Sequence, residues 1–406
     1  MRTPSLRKHV SGKARVTLNG KDFLLGAYGS PESIQAYHQL LAEWEASGRS
    51  PLFRSNTNET TIAEIAAAYI QHCSVYYGTG PNSELYRVKP AVEAIIELYG
   101  STVAVSFTTL QFKALRVHLM NAPRERSRTY INRLMQSVRR MFKCAASESI
   151  CPGSIYHDLS AVDPLKRGRT TAHENRPINA VPVGKVNATI PHLSPVVAAM
   201  VEFQRLTGCR PGEVCQLAPR MIDRSGDVWV ITLENHKTAH HGKDRIIYVG
   251  PKAQLVLKPY LLRDENLPCF SPRESEAIRR ANASANRVTP LSCGNKPGSN
   301  RVSKPGRPPG IQYNTVSYDR AVKNGCRKAF PAPEGLDAKE IKAWEKLNHW
   351  SPNQLRHSLA TEVRRHDSKK GLEAASVLLG HADLETTQIY AEADRELAIE
   401  MIKKIG

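Results

Sequence analysis

No two cysteines in this sequence stand in a C-x-x-C spacing. The eight of them, Cys73, Cys144, Cys151, Cys209, Cys215, Cys269, Cys293 and Cys326, are scattered. That scatter indicates neither a zinc-ligand set nor a disulfide framework, and the cysteines read as free thiols in a reducing compartment. No apolar run approaches the roughly 20 residues needed to span a bilayer. The basic opening MRTPSLRKHVSGKARV lacks the apolar segment of a secretory signal, so a cytoplasmic protein with no membrane partner is expected. Acidic residues are in short supply. Asp and Glu number 38 against 57 Lys and Arg, a formal charge of +19, which makes a polyanion, foremost nucleic acid, the default partner.

At 406 residues the chain is long enough for two or three domains. Ala14, Val16 and Leu18 alternate up to Asn19-Gly20, and Phe23 and Leu25 follow, a hairpin signal with a tight turn. A helix is expected next, capped by Ser30 with Pro31 in its first turn and Ile34, Tyr37, Leu41 and Trp44 on one face. The polar stretch 47–60 reads as a linker. From Thr61 to about Leu165 the pattern is helical. Its most telling segment carries Ile131, Leu134, Met135, Val138 and Phe142 as an apolar stripe beside Arg133, Arg139, Arg140 and Lys143. Those four cations are either a solvated face or contacts to phosphate. A second linker, 166–182, precedes the largest region. There DVWVITL and RIIYVG form a hairpin around a polar turn, and residues 271–312, rich in Ser, Pro, Gly, Asn and Arg, read as a basic, partly disordered surface insertion able to lie on DNA.

Three separated stretches can carry chemistry. In TGCRPGEVCQL, Pro211 suits a first helical turn and Glu213 stands three residues after Arg210. Arg210 can fork onto a phosphate or simply pair with Glu213. In WSPNQLRHSLATEVRR, Ser351, Pro352 and Gln354 signal a helix start, and Leu355, Leu359 and Val363 are expected to face the core. Asn353 and Arg356, three apart, share a face, whereas His357 lies about 100° around and reads as a packing residue. In LLGHADLETTQIY, Gly380 suits a helix end and Asp383 a helix start, with His381 between them and Tyr390 inside the second helix. A tyrosine so placed is usually core or interface filler.

Taken together and in this order, TGCRPGEVCQL, LRHSLAT and LLGHADLETTQIY resemble the signature of the tyrosine site-specific recombinases of the phage-integrase family: Arg, Lys, H-x-x-R, His or Trp, then Tyr. The resemblance implies a mainly α fold with small β elements. An arm-type DNA-binding-like domain would occupy 1–50, a helical core-binding (SAM-like) domain 58–165, and a mixed α/β catalytic domain 177–406, interrupted at about 271–312. It also implies roles. Tyr390 would attack a DNA phosphodiester to give a 3′-phosphotyrosine, Arg210 and Arg356 would clamp the non-bridging oxygens, and His381 would add a hydrogen bond. The lysine that protonates the leaving 5′-oxygen would be Lys237, preferred to Lys243 because a strand end is better fixed than a loop. The partners would be double-stranded DNA and other protomers in a DNA-bound tetramer, with Leu397, Met401, Ile402 and Ile405 as a docking stripe; no cofactor or metal is called for. His236, His240 and His241 lack the accompanying Cys or carboxylates of a metal site.

One position departs from the pattern. The histidine of H-x-x-R is Asn353 here, which can donate a hydrogen bond to phosphate but cannot carry a proton near neutral pH. His349, before the helix start, is not expected to substitute. A catalytically impaired DNA-binding architectural or regulatory protein of the same fold is therefore the alternative to an active integrase. DNA relaxation by a type IB topoisomerase is a third reading, disfavoured by the flanking domains.

Overall fold

The structure, a computed structural model, describes residues 3–50, 52–53, 59–80, 83–123, 125–233, 245–290, 292–293, 308–366 and 371–380. The chain divides into two compact units, Met1–Arg176 and Pro177–Gly406. Among the described residues it is mainly α with two small antiparallel sheets.

In the first unit β1 (Arg7–Lys8), β2 (Lys13–Leu18) and β3 (Lys21–Ala27) pair antiparallel in that order. Asn19 and Gly20 both take positive φ, 48° and 79°, as a primed two-residue turn requires. Helix α1 (Pro31–Ala46) starts as expected, the Ser30 hydroxyl accepting from the Ser33 N–H. Its buried line differs from the expected one. Leu40, Leu41 and Trp44 face the sheet, while Ile34 is exposed. The reason is local: at the helix start it is the small Ser33 that is buried, close to Gly26, which turns Ile34 outward.

Helices α2 (Ile62–Tyr77), α3 (Leu85–Tyr99), α4 (Thr109–Met120), α5 (Arg128–Ser147) and α6 (Gly153–Ser160) share one apolar core. Reciprocal caps at Thr61/Glu64 and Thr108/Gln111 satisfy the first free N–H groups of α2 and α4. The entire expected stripe of α5, Ile131, Leu134, Met135, Val138 and Phe142, is buried in that core.

The second unit builds a core on α8 (Pro195–Thr207), which follows the short α7 (Val183–Thr189). After α9 (Pro211–Gln216) come β4 (Ile222–Asp223), β5 (Trp229–Leu233) and β6 (Arg245–Val249), paired antiparallel in chain order. The hairpin legible in the sequence is thus present, with Leu233 opposite Arg245. Helices α10 (Pro251–Leu257), α11 (Pro272–Ala285), α12 (Thr315–Ala329), α13 (Ala338–Asn348), α14 (Asn353–His366) and α15 (Gly371–Leu379) complete the described part. The stretch from 271 does not begin as irregular chain. Ser271 caps α11 by accepting from the Arg273 N–H, and Ser275 on that helix meets Ser194 and Tyr313 through hydroxyl hydrogen bonds of 2.9 and 2.7 Å. Composition hides this helix because Ile278 is its only large apolar residue.

Candidate functional site

Arg210 is the cap residue of α9, in extended conformation before Pro211. Proline supplies the helical φ, and Glu213 folds back one turn, accepting from the Arg210 backbone N–H and from its Nη1, both at 2.8 Å. The fork-or-pair alternative open in the sequence resolves into a pair that leaves room for a ligand. The Arg210 side chain remains 28% exposed although its partner Glu213 is buried.

A third group, which sequence reasoning missed, completes this anchor. Arg245, the first residue of β6, is only 3% exposed and donates Nε and Nη2 to the two Glu213 oxygens at 3.2 and 3.3 Å. Its Nη1 reaches the carbonyls of Ile246 at 2.8 Å and Leu378 at 3.3 Å. Burial pushes the Glu213 carboxyl up, but the adjacent Arg245 charge and the bonds from Arg245 and Arg210 outweigh it and hold the group below its ordinary value. The one available signal was an arginine opening an otherwise apolar strand.

Arg356 lies in α14 and is almost fully buried, at 1% exposure. It donates to the carbonyls of Gly208 and Leu379. Arg245 and Arg356 therefore both bind the last carbonyls of α15, a favourable place for cations. Gly380 ends that helix with φ of 63°, in the left-handed region. Gly208 plays the same part for α8, at φ 64°, and a Cβ there would stand 2.6 Å from Leu359 Cδ2. The loop before Arg210 is thereby pressed against α14.

Above this buried network opens a cavity of about 530 Å³ whose lining includes Arg210, Glu213, Thr315, Asp319, Ser351 and Asn353. Asn353 lines the cavity and makes no hydrogen bond to the described residues, and Asp319 is neutralised by Lys323 at 2.6 Å. Gln354 accepts from the Ser351 N–H at 2.9 Å, fixing the start of α14. Leu355 is buried, as expected, whereas Leu359 and Val363 are half-buried. His357 is buried, and His349, its pKa lowered by burial, does not line the cavity.

Tyr390, His381, Lys237 and Lys243, the C-terminal stripe Leu397, Met401, Ile402 and Ile405, and the trio His236, His240 and His241 lie outside the described residues. Of the four cations on α5, Arg133 and Lys143 are exposed, and Lys143 stands 5.9 Å over the Tyr156 ring. Arg140 is half-buried. Arg139 is engaged internally: it donates to the carbonyls of Leu159 and Val162 and lies over Phe112. No described helix is long and apolar enough to cross a membrane.

Residues 332–396 match the phage integrase family. A tyrosine recombinase XerD of Xanthomonas axonopodis pv. citri is 28% identical over 202 residues, 49% of this chain and 51% of that protein. A tyrosine recombinase XerC of Psychromonas ingrahamii is 52% identical over 46 residues, 11% of this chain and 15% of that protein. The chain thus spans about half or less of these curated relatives. Among solved structures, a lambda integrase tetramer bound to a Holliday junction superposes with a TM-score of 0.53 at 15% identity, covering 97% of each chain. The Tn1549 transposon integrase in complex with a circular intermediate DNA does so with a TM-score of 0.53 at 14% identity, over 85% of this chain and 99% of that one. At such identities the likeness is one of fold.

Proposed function

We propose that this chain, whose residues 332–396 match the phage integrase family, is a tyrosine recombinase that cleaves and rejoins DNA at a specific site through Tyr390. The observation that carries this reading is the shared cavity. Arg210 and Asn353, far apart in sequence, line it together, above a buried Glu213–Arg245 pair.

A phosphodiester seated in the cavity would take its charge-assisted bonds from Arg210 and a neutral one from Asn353. The Tyr390 oxygen attacks phosphorus and gives up its phenolic proton to water, since Asn353 cannot accept it; the P–O5′ bond breaks, and the leaving 5′-oxygen takes a proton from Lys237. The product is a 3′-phosphotyrosine, which a 5′-hydroxyl can reopen in the reverse sense. Fixed guanidinium charge serves where other enzymes use a metal, because it is already in place when the transition state forms. Arg356, sealed from solvent between Gly208 and Leu379, acts on the phosphate by holding the Arg210 loop and by its charge. The chain's next residue after Gly380 is His381, assigned a further bond to the phosphate.

Exposed Arg133 and Lys143 on α5, with Arg140 beside them, are the cations of that helix with donors to spare for a DNA backbone; Arg139 has given its own to carbonyls. We assign the protein to the cytoplasm, to a mobile element, and to a tetramer on its DNA. The test is incubation with nicked duplex carrying the crossover site. A covalent protein–DNA adduct is expected, absent with Tyr390→Phe. An adduct that persists in that variant overturns the assignment of the nucleophile. No adduct from the unaltered protein, with binding retained, favours the architectural alternative that Asn353 raises.

A further inference from the structure

The region from Glu276 to Asp319 is peculiar in charge. Between those two residues there is no carboxylate, while Arg279, Arg280, Arg287, Lys296, Arg301, Lys304 and Arg307 supply seven cations. Helices α11 and α12 bring part of that charge to one place. They wall an open cleft of about 1020 Å³, separate from the Arg210 cavity, whose lining includes Arg279, Arg280, Arg320, Asn324 and Lys328 with Glu276 as its one carboxylate.

The pairing pattern in α12 is selective. Lys323 is bound to Asp319 at 2.6 Å and Arg327 to Glu345 at 2.7 Å, and neither cation lines the cleft. Arg320 and Lys328, which do line it, are exposed and form no ion pair with any described residue. Across the cleft, Arg279 and Arg280 share the single carboxylate of Glu276 at 2.7 Å each. Four cations against one carboxylate leave the cleft at about +3. Exposed like charges held together with too few counter-charges repel, so a structure that keeps them so is suited to an anion of matching spacing.

The length of the row fits a duplex backbone. Arg320, Asn324 and Lys328 follow one another at i, i+4 and i+8, a row about 12 Å long at 1.5 Å per residue. One DNA strand places a phosphate about every 3.4 Å along the duplex axis, so such a row runs beside roughly three of them. We infer that the α11–α12 cleft is a second duplex-binding surface of the catalytic unit, which grips the phosphate backbone of DNA outside the stretch being cleaved. It takes from the reading above only that the partner is duplex DNA, and it needs no strand cleavage.

The test measures affinity of the full chain for a labelled duplex of arbitrary sequence, by fluorescence anisotropy across a salt series. The double variant Arg320→Glu/Lys328→Glu is compared with Lys252→Glu, an exposed α10 position outside the cleft. A thermal melt checks that all the proteins are folded. The cleft variant is expected to bind at least tenfold more weakly at low salt and to flatten the log–log salt slope by about 2, one per lost phosphate contact. Lys252→Glu is expected to leave the slope unchanged. Equal slopes in the unaltered and cleft-variant proteins overturn the inference, as does an equal loss in both variants, which would mark a general effect of net charge. Competition by polyglutamate as strong as by duplex DNA overturns it too, in favour of an acidic protein partner. Failure of the unaltered protein to bind any duplex overturns both this inference and the parent reading, whereas binding with equal slopes overturns the inference alone.

Discussion

Arg245→Met removes a buried cation while keeping much of its volume, and its consequence can be worked from the geometry. Two bonds to Glu213 are lost, at 3.2 and 3.3 Å, and the Glu213 side chain is only 5% exposed. Breaking one side of a buried ion pair typically costs about 3–5 kcal/mol, since the remaining charge stays desolvated. Arg210 still faces Glu213 here, which points to the lower end, about 3 kcal/mol. Three of the four tryptophans, Trp229, Trp344 and Trp350, belong to the second unit, so urea unfolding followed by their fluorescence reports chiefly on that unit. The pH dependence follows from the sign of the shift. In the unaltered protein Glu213 titrates below its ordinary value, so its contribution is complete above about pH 4.3 and fades as pH falls through the lower folded value. In the variant, burial acts with only Arg210 to oppose it, and Glu213 titrates higher. The stability gap should therefore be widest near pH 7 and narrow toward pH 4. Adding Glu213→Gln to Arg245→Met should recover part of the loss, because the unpaired buried charge is gone. A loss below about 1 kcal/mol, or a gap that stays flat with pH, would refute the argument that this pair is the anchor.

Two other outcomes are expected. Asn353→His restores a titratable ring at the cavity wall, and should cleave nicked substrate at least as fast as the unaltered chain; severe loss of adduct would remove Asn353 from the site. In native protein a maleimide should label Cys293 first, since it is exposed, while Cys209 and Cys215, buried and with thiols pushed up to about 12, should react only on unfolding; mass spectrometry of the modified peptides reads this directly.

Local patterns in the sequence proved sufficient for the parts of the fold that local physics builds. The Asn19-Gly20 turn, the Ser30 cap, the stripe on α5 and the β5–β6 hairpin all depend on neighbours within a few residues, or on period alone. Helix α11 escaped notice because its burial is supplied by hydroxyl contacts to Ser194 and Tyr313, which composition does not register. The face of α1 was misjudged at Ile34 because a narrow sheet, and the small pair Ser33 and Gly26, decide which side packs.

The order of Arg210, Arg356, His381 and Tyr390 along the chain determined the family reading, since motif order survives without any knowledge of contacts. Only the tertiary structure decided what each described arginine does. Arg210 faces a cavity, Arg356 and Arg245 hold the carbonyl end of α15, and Arg139 binds Leu159 and Val162. A guanidinium has five donors, which a phosphate oxygen or a backbone carbonyl can equally well occupy. Which of them it meets is set by other segments of the chain, as when α14 carries Arg356 to Gly208, 148 residues away, and no local pattern encodes that meeting.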